Sequence, residues 1–228
     1  MTIITAIFSI VITLVVYLIA KAFYKKYPYP FTVPVLIATM ILIILLLVFR
    51  IPYETYYIGA EWIEKLLGPA VVALAYPLYR QIEMLKRYFV VIVLSVGTGA
   101  VVGIISGILL TKWVGFDQSF VSLLVPKSVT TPVAMEIATT LGGNASLAAV
   151  LVMVAGIGGV VLMPYFFKWF KITNEFGRGI GAGSASHAIG TAKALENGER
   201  EGAASSVAMT LSAIVIAVIG PMLFFLFY

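Results

Sequence analysis

An all-α, multi-pass membrane fold is the class this sequence predicts, and three observations predict it. The 228 residues are 61% hydrophobic and only 11% charged, with a mean hydropathy of +1.08. A soluble domain carries about 25% charged residues. The apolar runs are continuous instead of alternating, which argues for helices and against a β-barrel. Between the runs lie stretches rich in Gly, Pro, Ser and Thr, where a spanning helix would break. Non-helical backbone at membrane depth is tolerated only where protein buries it or where it lines a wet cavity.

Five runs are long enough to span: residues 2–20, 31–49, 88–110, 145–167 and 202–227. At about 1.5 Å per residue each approaches the ~30 Å hydrocarbon core. The first run is followed, not preceded, by basic residues (Lys21, Lys25, Lys26). That charge order fits a retained first span with its N-terminus outside, and does not fit a secretory signal. The first two runs are bulky and predict lipid-facing scaffold spans over residues 1–50. The later three are rich in Gly, Ala and Ser, which lets helices approach closely. They predict a membrane core over residues 51–228, the whole forming one integrated membrane domain. The Gly-rich faces also predict a homo-oligomer.

Three segments read as broken or re-entrant helices: 53–87, 116–143 and 174–197. Breaks are expected at Gly68 and Pro69 in the first, and at Pro126 and Pro132 in the second, because proline supplies no N–H and disfavours helix at the preceding residue. An internal repeat is one reading of this pattern. Leu-Leu-x-Pro recurs 57 residues apart at Pro69 and Pro126, and "GTGAVV" from Gly97 recurs as "GIGGVV" from Gly156, 59 residues on. Secondary transporters are often built from such repeats. If 116–143 is re-entrant, Lys168, Lys171 and Arg178 fall on the cytoplasmic side with Lys86 and Arg87, as loop charge bias favours; a single crossing would put them outside.

"PKSVTTPVAMEIATTLGG", residues 126–143, is the densest candidate for chemistry. Ser128, Thr130 and Thr131 are N-cap types for a helix beginning near Pro132. A helix N-terminus offers free N–H groups and about half a positive charge, and Lys127 adds a full one. Together they predict an anion site, with a carboxylate as the ligand group and the hydroxyls orienting it. The structural alternative is an interfacial lysine in a turn. Glu136 is either a proton or cation group or an interfacial carboxylate.

"GSASHAIGTAKALEN", residues 183–197, is the second candidate. As one helix it would set Ser184, His187 and Thr191 on a single face, and Ser186, Gly190 and Ala194 in a small-residue row. Ser184, Ser186, His187 and Thr191 would then face the ligand from a second side, with His187 able to relay a proton. The alternative is a structural histidine bonded to a carbonyl. Ser205, Ser206, Thr210 and Ser212 in the last run read as packing contacts. No arrangement of residues suggests hydrolysis or any other enzyme activity, a metal, a cofactor or nucleic-acid binding. There are no cysteines, which excludes disulfide and thiol chemistry.

Three stretches, "LGPAVVALAYPLYRQ", "PKSVTTPVAMEIA" and "GSASHAIGTAKALE", resemble the signature stretches of the LrgB/CidB-like family of bacterial membrane proteins. The match runs from about Leu67 to the C-terminus. The resemblance implies a multi-pass protein of the bacterial inner membrane. Family members are labelled antiholin-like regulators of murein hydrolase export or activity, acting with a small LrgA/CidA-like membrane partner. A plastid relative resembles a glycolate/glycerate carrier, and some bacterial relatives are linked to pyruvate uptake. The residues themselves fit the carrier role better. The expectation is therefore a transporter, or transporter subunit, for small monocarboxylates, with the antiholin-like role as the alternative.

Overall fold

The computed structural model describes residues 2–66, 69, 72, 75–80 and 82–228. The described residues form helices joined by short turns, without strands, and the chain divides into two compact units, Met1–Val72 and Ala73–Tyr228.

The first unit holds α1 (Thr2–Lys26), a 3₁₀ turn (Pro30–Thr32), α2 (Pro34–Val48) and α3 (Tyr53–Lys65). The spans stay bulky and outward-facing: Ile3, Leu18, Leu47 and Phe49 are all exposed. The α1–α2 contact is a small seam around Val16, Ala20 and Ala38. The run at 31–49 yields a helix of only 15 residues, since Pro30 and Pro34 confine the start of the run to a 3₁₀ turn. It is about 22 Å long, short of the ~30 Å core. Among the described residues four helical stretches are long and apolar enough to cross: Ile3–Lys26, Lys86–Val114, Ala145–Trp169 and Glu199–Phe227. Of the breaks expected in 53–87, Gly68 lies outside the described residues. Pro69 is helical and exposed, with its neighbours on both sides also outside them.

The second unit contains α4 (Ala75–Arg80), α5 (Ile82–Val114), α6 (Gln118–Leu124), α7 (Thr131–Thr140), α8 (Ala145–Trp169), α9 (Glu175–Asn197) and α10 (Glu199–Phe227). Side chains start three of these helices. Asp117 accepts from the Phe120 N–H at 3.1 Å, Asn144 from Leu147 at 3.0 Å and Asn174 from Gly177 at 3.1 Å.

α6 and α7 are two arms of a hairpin. The chain leaves α7 through Gly142, whose φ of +79° suits glycine. Gly143 then comes back against α6, where an added Cβ would lie 2.8 Å from Leu123 Cδ2. Leu123 also packs with Ala138, near the end of α7. Residues 116–143 therefore re-enter the face they came from. The tip, residues 125–130, reaches inward along its neighbours, well short of the ends of α5 and α10. Lys127 Nζ donates to the Gly103 carbonyl of α5 at 2.9 Å, and Val125 Cγ1 lies 3.0 Å from where a Cβ on Gly220 of α10 would be.

α9 is a second hairpin, folded between Ser186 (φ −125°, ψ 16°) and His187 (φ 42°, ψ −132°). Gly190, past the fold, packs on the Ala182 carbonyl before it. On its first arm Gly179 meets Glu201 and Ala204 of α10, and Gly183 meets Ser205 and Met209, so this arm runs parallel to α10. On the second arm Thr191 meets Ser205 and Met209 while Leu195 meets Gly202, so the chain runs back.

The two hairpins enter from opposite faces. α5 and α10 run in the same direction: Ile92 and Val96 cluster with Ala204 and Val207, Ile104 and Ile108 with Ile216 and Phe224, and Lys112 donates to the Phe227 carbonyl at 2.6 Å. The α6–α7 hairpin starts where those helices end, and the α9 hairpin starts where they begin. Lys86, Arg87, Lys168, Lys171, Arg178 and Arg200 gather on the face from which α9 enters, which loop charge bias assigns to the cytoplasm. The pair α5 plus first hairpin and the pair α8 plus second hairpin thus run in opposite senses. The 59-residue offset that relates Gly97 to Gly156 also relates Lys127 to Ser186, one at each tip.

Candidate functional site: two hairpin tips

At the first tip, Pro126 follows α6 and Pro132 lies in the first turn of α7, where a missing N–H costs nothing. Thr130 is the N-cap residue, extended at φ −64°, ψ 148°, but its hydroxyl makes no capping bond. The first amides of α7 are therefore not occupied by that side chain. Lys127 is half-buried, and its ammonium has the Gly103 carbonyl as partner, with Gly107 beside it. No carboxylate pairs with it among the described residues. Thr130 is buried, while Ser128 and Thr131 are half-buried. Glu136 is exposed, in the second turn of α7 and away from the tip. An ammonium without a carboxylate partner, carried four residues before a helix that opens on hydroxyl residues, has the chemistry to hold an anion.

At the second tip the structure corrects one expectation. Ser184, His187 and Thr191 do not share a helical face, because the fold at Ser186–His187 puts Ser184 on one arm and Thr191 on the other. Ser184 donates to the Ile180 carbonyl at 2.6 Å within its own arm. Thr191 is buried against α10, its Oγ1 2.9 Å from Ser205 Oγ. His187 is 3% exposed, and its Nε2 lies 3.1 Å from the Val152 carbonyl of α8. A carbonyl only accepts, so Nε2 carries the hydrogen. The ring fits beside Gly156, where a Cβ would lie 2.7 Å from Cε1. Ser186 is fully buried against Gly159 and Gly190, and its hydroxyl has no partner.

Val152 joins the two tips. Its carbonyl holds His187, and its side chain belongs to the cluster that contains Val125 and Val129 of the first tip. Sequence reasoning missed two groups. One is Gly103, which acts through a carbonyl that no motif reveals. The other is the base of the second hairpin, where Glu201, 3% exposed, accepts from Asn197 Nδ2 at 2.6 Å and lies 3.2 Å from Arg178 Nε. That carboxylate ties both arms to the first turn of α10. The nearest signal was an acidic residue opening a helix, which is common for dipole reasons alone.

Comparison with known proteins fits this frame. A family model described as the LrgB-like family matches residues 13–226. The chain belongs to the LrgB-like family. The uncharacterized protein YxaC of Bacillus subtilis (strain 168) is 49% identical over 180 residues, 79% of this chain and 78% of that protein. YwbG of the same organism is 40% identical over 173 residues, covering 76% and 77% of the two chains. The holin-like protein CidB of Staphylococcus aureus (strain N315) is 37% identical over 180 residues, 79% of each chain. No solved structure matches the chain. With its membrane-length helices, this LrgB-like protein is a multi-pass protein of the bacterial cytoplasmic membrane.

Proposed function

We propose that this LrgB-like chain is a carrier, or the substrate-binding subunit of one, for small monocarboxylates of the pyruvate, lactate, glycolate or glycerate type. The observation that carries the reading is the pair of hairpin tips entering from opposite faces, one bearing the ammonium of Lys127, which has no carboxylate partner among the described residues. A membrane core penalises an unpaired charge heavily, so a lysine there is a functional-site hypothesis by default. The substrate carboxylate sits at Lys127 and the N-terminus of α7, with Ser128, Thr130 and Thr131 orienting it. Ser186 and His187 close the site from the other tip. Ser184 and Thr191 are already engaged in internal hydrogen bonds and act as supports. The tips enter from opposite faces, so withdrawal of either one opens the site to one side only. Proton or other ion coupling, a homo-oligomer and a small LrgA/CidA-like membrane partner belong to the same proposal. Uptake of labelled pyruvate and glycolate into proteoliposomes, with the chain alone and with that partner, tests it.

A second reading has its own support. The CidB relatives are named holin-like, and those names favour an antiholin-like regulator of murein hydrolase export or activity over a carrier. Under that reading the chain acts through its small partner and no catalysis is assigned to it. Absence of uptake in both proteoliposome preparations selects this reading.

A further inference from the structure

The two tips occupy equivalent places under the 59-residue offset, yet they differ in charge. Lys127 puts an ammonium against a backbone carbonyl of the span before it. Ser186, its counterpart, puts a neutral hydroxyl against Gly159 of the span before it. That hydroxyl is 0% exposed and has no hydrogen-bond partner. Among the described residues one other side-chain hydroxyl is in the same condition, Ser212 Oγ of α10, at 1% exposure. A buried hydroxyl without a partner is costly, and a native protein retains one where something else satisfies it.

These two orphans belong to one level of the fold. The first arm of α9 runs parallel to α10, with Gly183 on Ser205 and Met209. The tip lies about one turn beyond Gly183. Ser205, Met209, Ser212 and Ile216 form one stripe of α10, spaced four, three and four residues apart. Ser212 is therefore about one turn beyond the Gly183 contact as well. It also precedes Ile216, which packs with Val125 of the opposite tip. The first arm ends here too, and the last carbonyls of a helix carry the negative end of its dipole. His187 commits its Nε2–H to the Val152 carbonyl, and a hard cation prefers oxygen to the remaining Nδ1.

From this arrangement we infer that the second tip binds a small monovalent cation, sodium by its oxygen chemistry, between Ser186 Oγ, Ser212 Oγ and the carbonyl end of the first α9 arm. Hard cations take oxygen ligands, and divalent ones take carboxylates among them. Among the described residues no carboxylate is placed at this tip, and the buried one of α10, Glu201, is held at the base of the hairpin by Asn197 and Arg178. Broken-helix carbonyls with hydroxyls are a sodium-binding design. One tip carries a fixed positive charge and the other an exchangeable one. The inference rests on the carrier reading for its use as a coupling ion, but the binding itself is measured without substrate, so its failure leaves the carrier reading standing.

The test is thermal stability of the purified full chain in detergent, in sodium, potassium and choline chloride at one ionic strength. Sodium raises the melting temperature saturably and choline does not. Ser186→Ala and Ser212→Ala each weaken the apparent sodium affinity about tenfold or more, as loss of one polar ligand should. Ser206→Ala, whose hydroxyl already donates to the Gly202 carbonyl, leaves the response unchanged. Equal melting in all three salts, or a parental sodium response in both Ser186→Ala and Ser212→Ala, overturns the site and leaves ordered water as the partner of these hydroxyls. Should either variant fail to purify, equilibrium binding of ²²Na⁺ to the parent chain decides, and no saturable binding refutes the inference.

Discussion

The two hairpins bring the chain to the same depth by different means. The first turns through six residues, 125–130, with a proline at its start and another opening the next helix. The second turns between Ser186 and His187 with no proline, and a histidine is held at φ 42°, ψ −132°. That backbone region belongs almost wholly to glycine and costs about 1–3 kcal/mol for other residues. The first break is written into covalent chemistry. The second exists because its arms are clamped against α8 and α10 tightly enough to hold a strained residue. A membrane protein can therefore make a re-entrant hairpin either by removing backbone donors or by packing around a bend, and the second kind depends on its neighbours.

The largest effect expected from this difference is at the seat of the second hairpin. Gly183 has no room for a side chain, since its Cβ would strike the Ser205 carbonyl and come 2.9 Å from the Met209 amide nitrogen. Both are backbone atoms of a helix and neither moves cheaply. Gly183→Val should cost about 3 kcal/mol or more, enough to abolish folding. Gly99 of α5 has open space around it. Gly99→Ala should be neutral or stabilising by about 0.5–1 kcal/mol from helix propensity. Thermal unfolding in detergent compares them. Equal tolerance of Gly99→Ala and Gly183→Ala would break the claim that packing creates the second fold.

An intermediate effect separates the tips by charge. Lys127→Ala should remove the stabilisation that pyruvate gives the folded chain, because the charge-assisted contact is worth about 1.5–3 kcal/mol of affinity. Lys127→Arg should restore it only in part, since a planar fork does not replace a compact ammonium. The readout is the ligand-induced thermal shift. An undiminished shift in the alanine variant would remove Lys127 from the site and make the first tip as neutral as the second.

The smallest effect tests the strain itself. His187→Ala loses the hydrogen bond to Val152 and keeps the unfavourable backbone. His187→Gly loses the same bond and is at ease there. The glycine variant should therefore be the more stable of the two by about 1 kcal/mol, whereas an ordinary helical site would reverse the order. Chemical or thermal unfolding of the pair settles it, and alanine equal to or above glycine would mean that His187 is not strained.

What was legible in the sequence follows the same division. The break after Leu124 could be read because Pro126 and Pro132 announce it, and the spans because apolar length is a covalent property. Gly-Ser-Ala-Ser-His announced a loosened helix but not where it folds. The expected alignment of Ser184, His187 and Thr191 failed because the bend is set by close approaches that the local sequence does not announce, Gly179 and Gly183 on α10 and Gly190 on the opposite arm. Lys127 was visible as a charge out of place, while its partner, a carbonyl of Gly103, was not. Glu201 was passed over because a helix-opening glutamate is ordinary until burial and two partners give it a task.

Both arms of the second hairpin rest on α10, and α10 follows them in the chain. During synthesis the N-terminal parts emerge first. A ribosome that has completed residue 197 has produced the whole hairpin, and α8 beside its tip, but none of α10. With α8 alone beside the tip, the arm faces around Gly179, Gly183 and Thr191 meet lipid or the insertion machinery in place of α10, and non-helical backbone is not tolerated bare in hydrocarbon. The hairpin must therefore wait at the membrane surface, or inside the insertion site, until the last span arrives and draws it in. A nascent chain that stops short of α10 carries an unfinished centre and not merely one span fewer, which makes the last helix the step that commits the whole core to the bilayer.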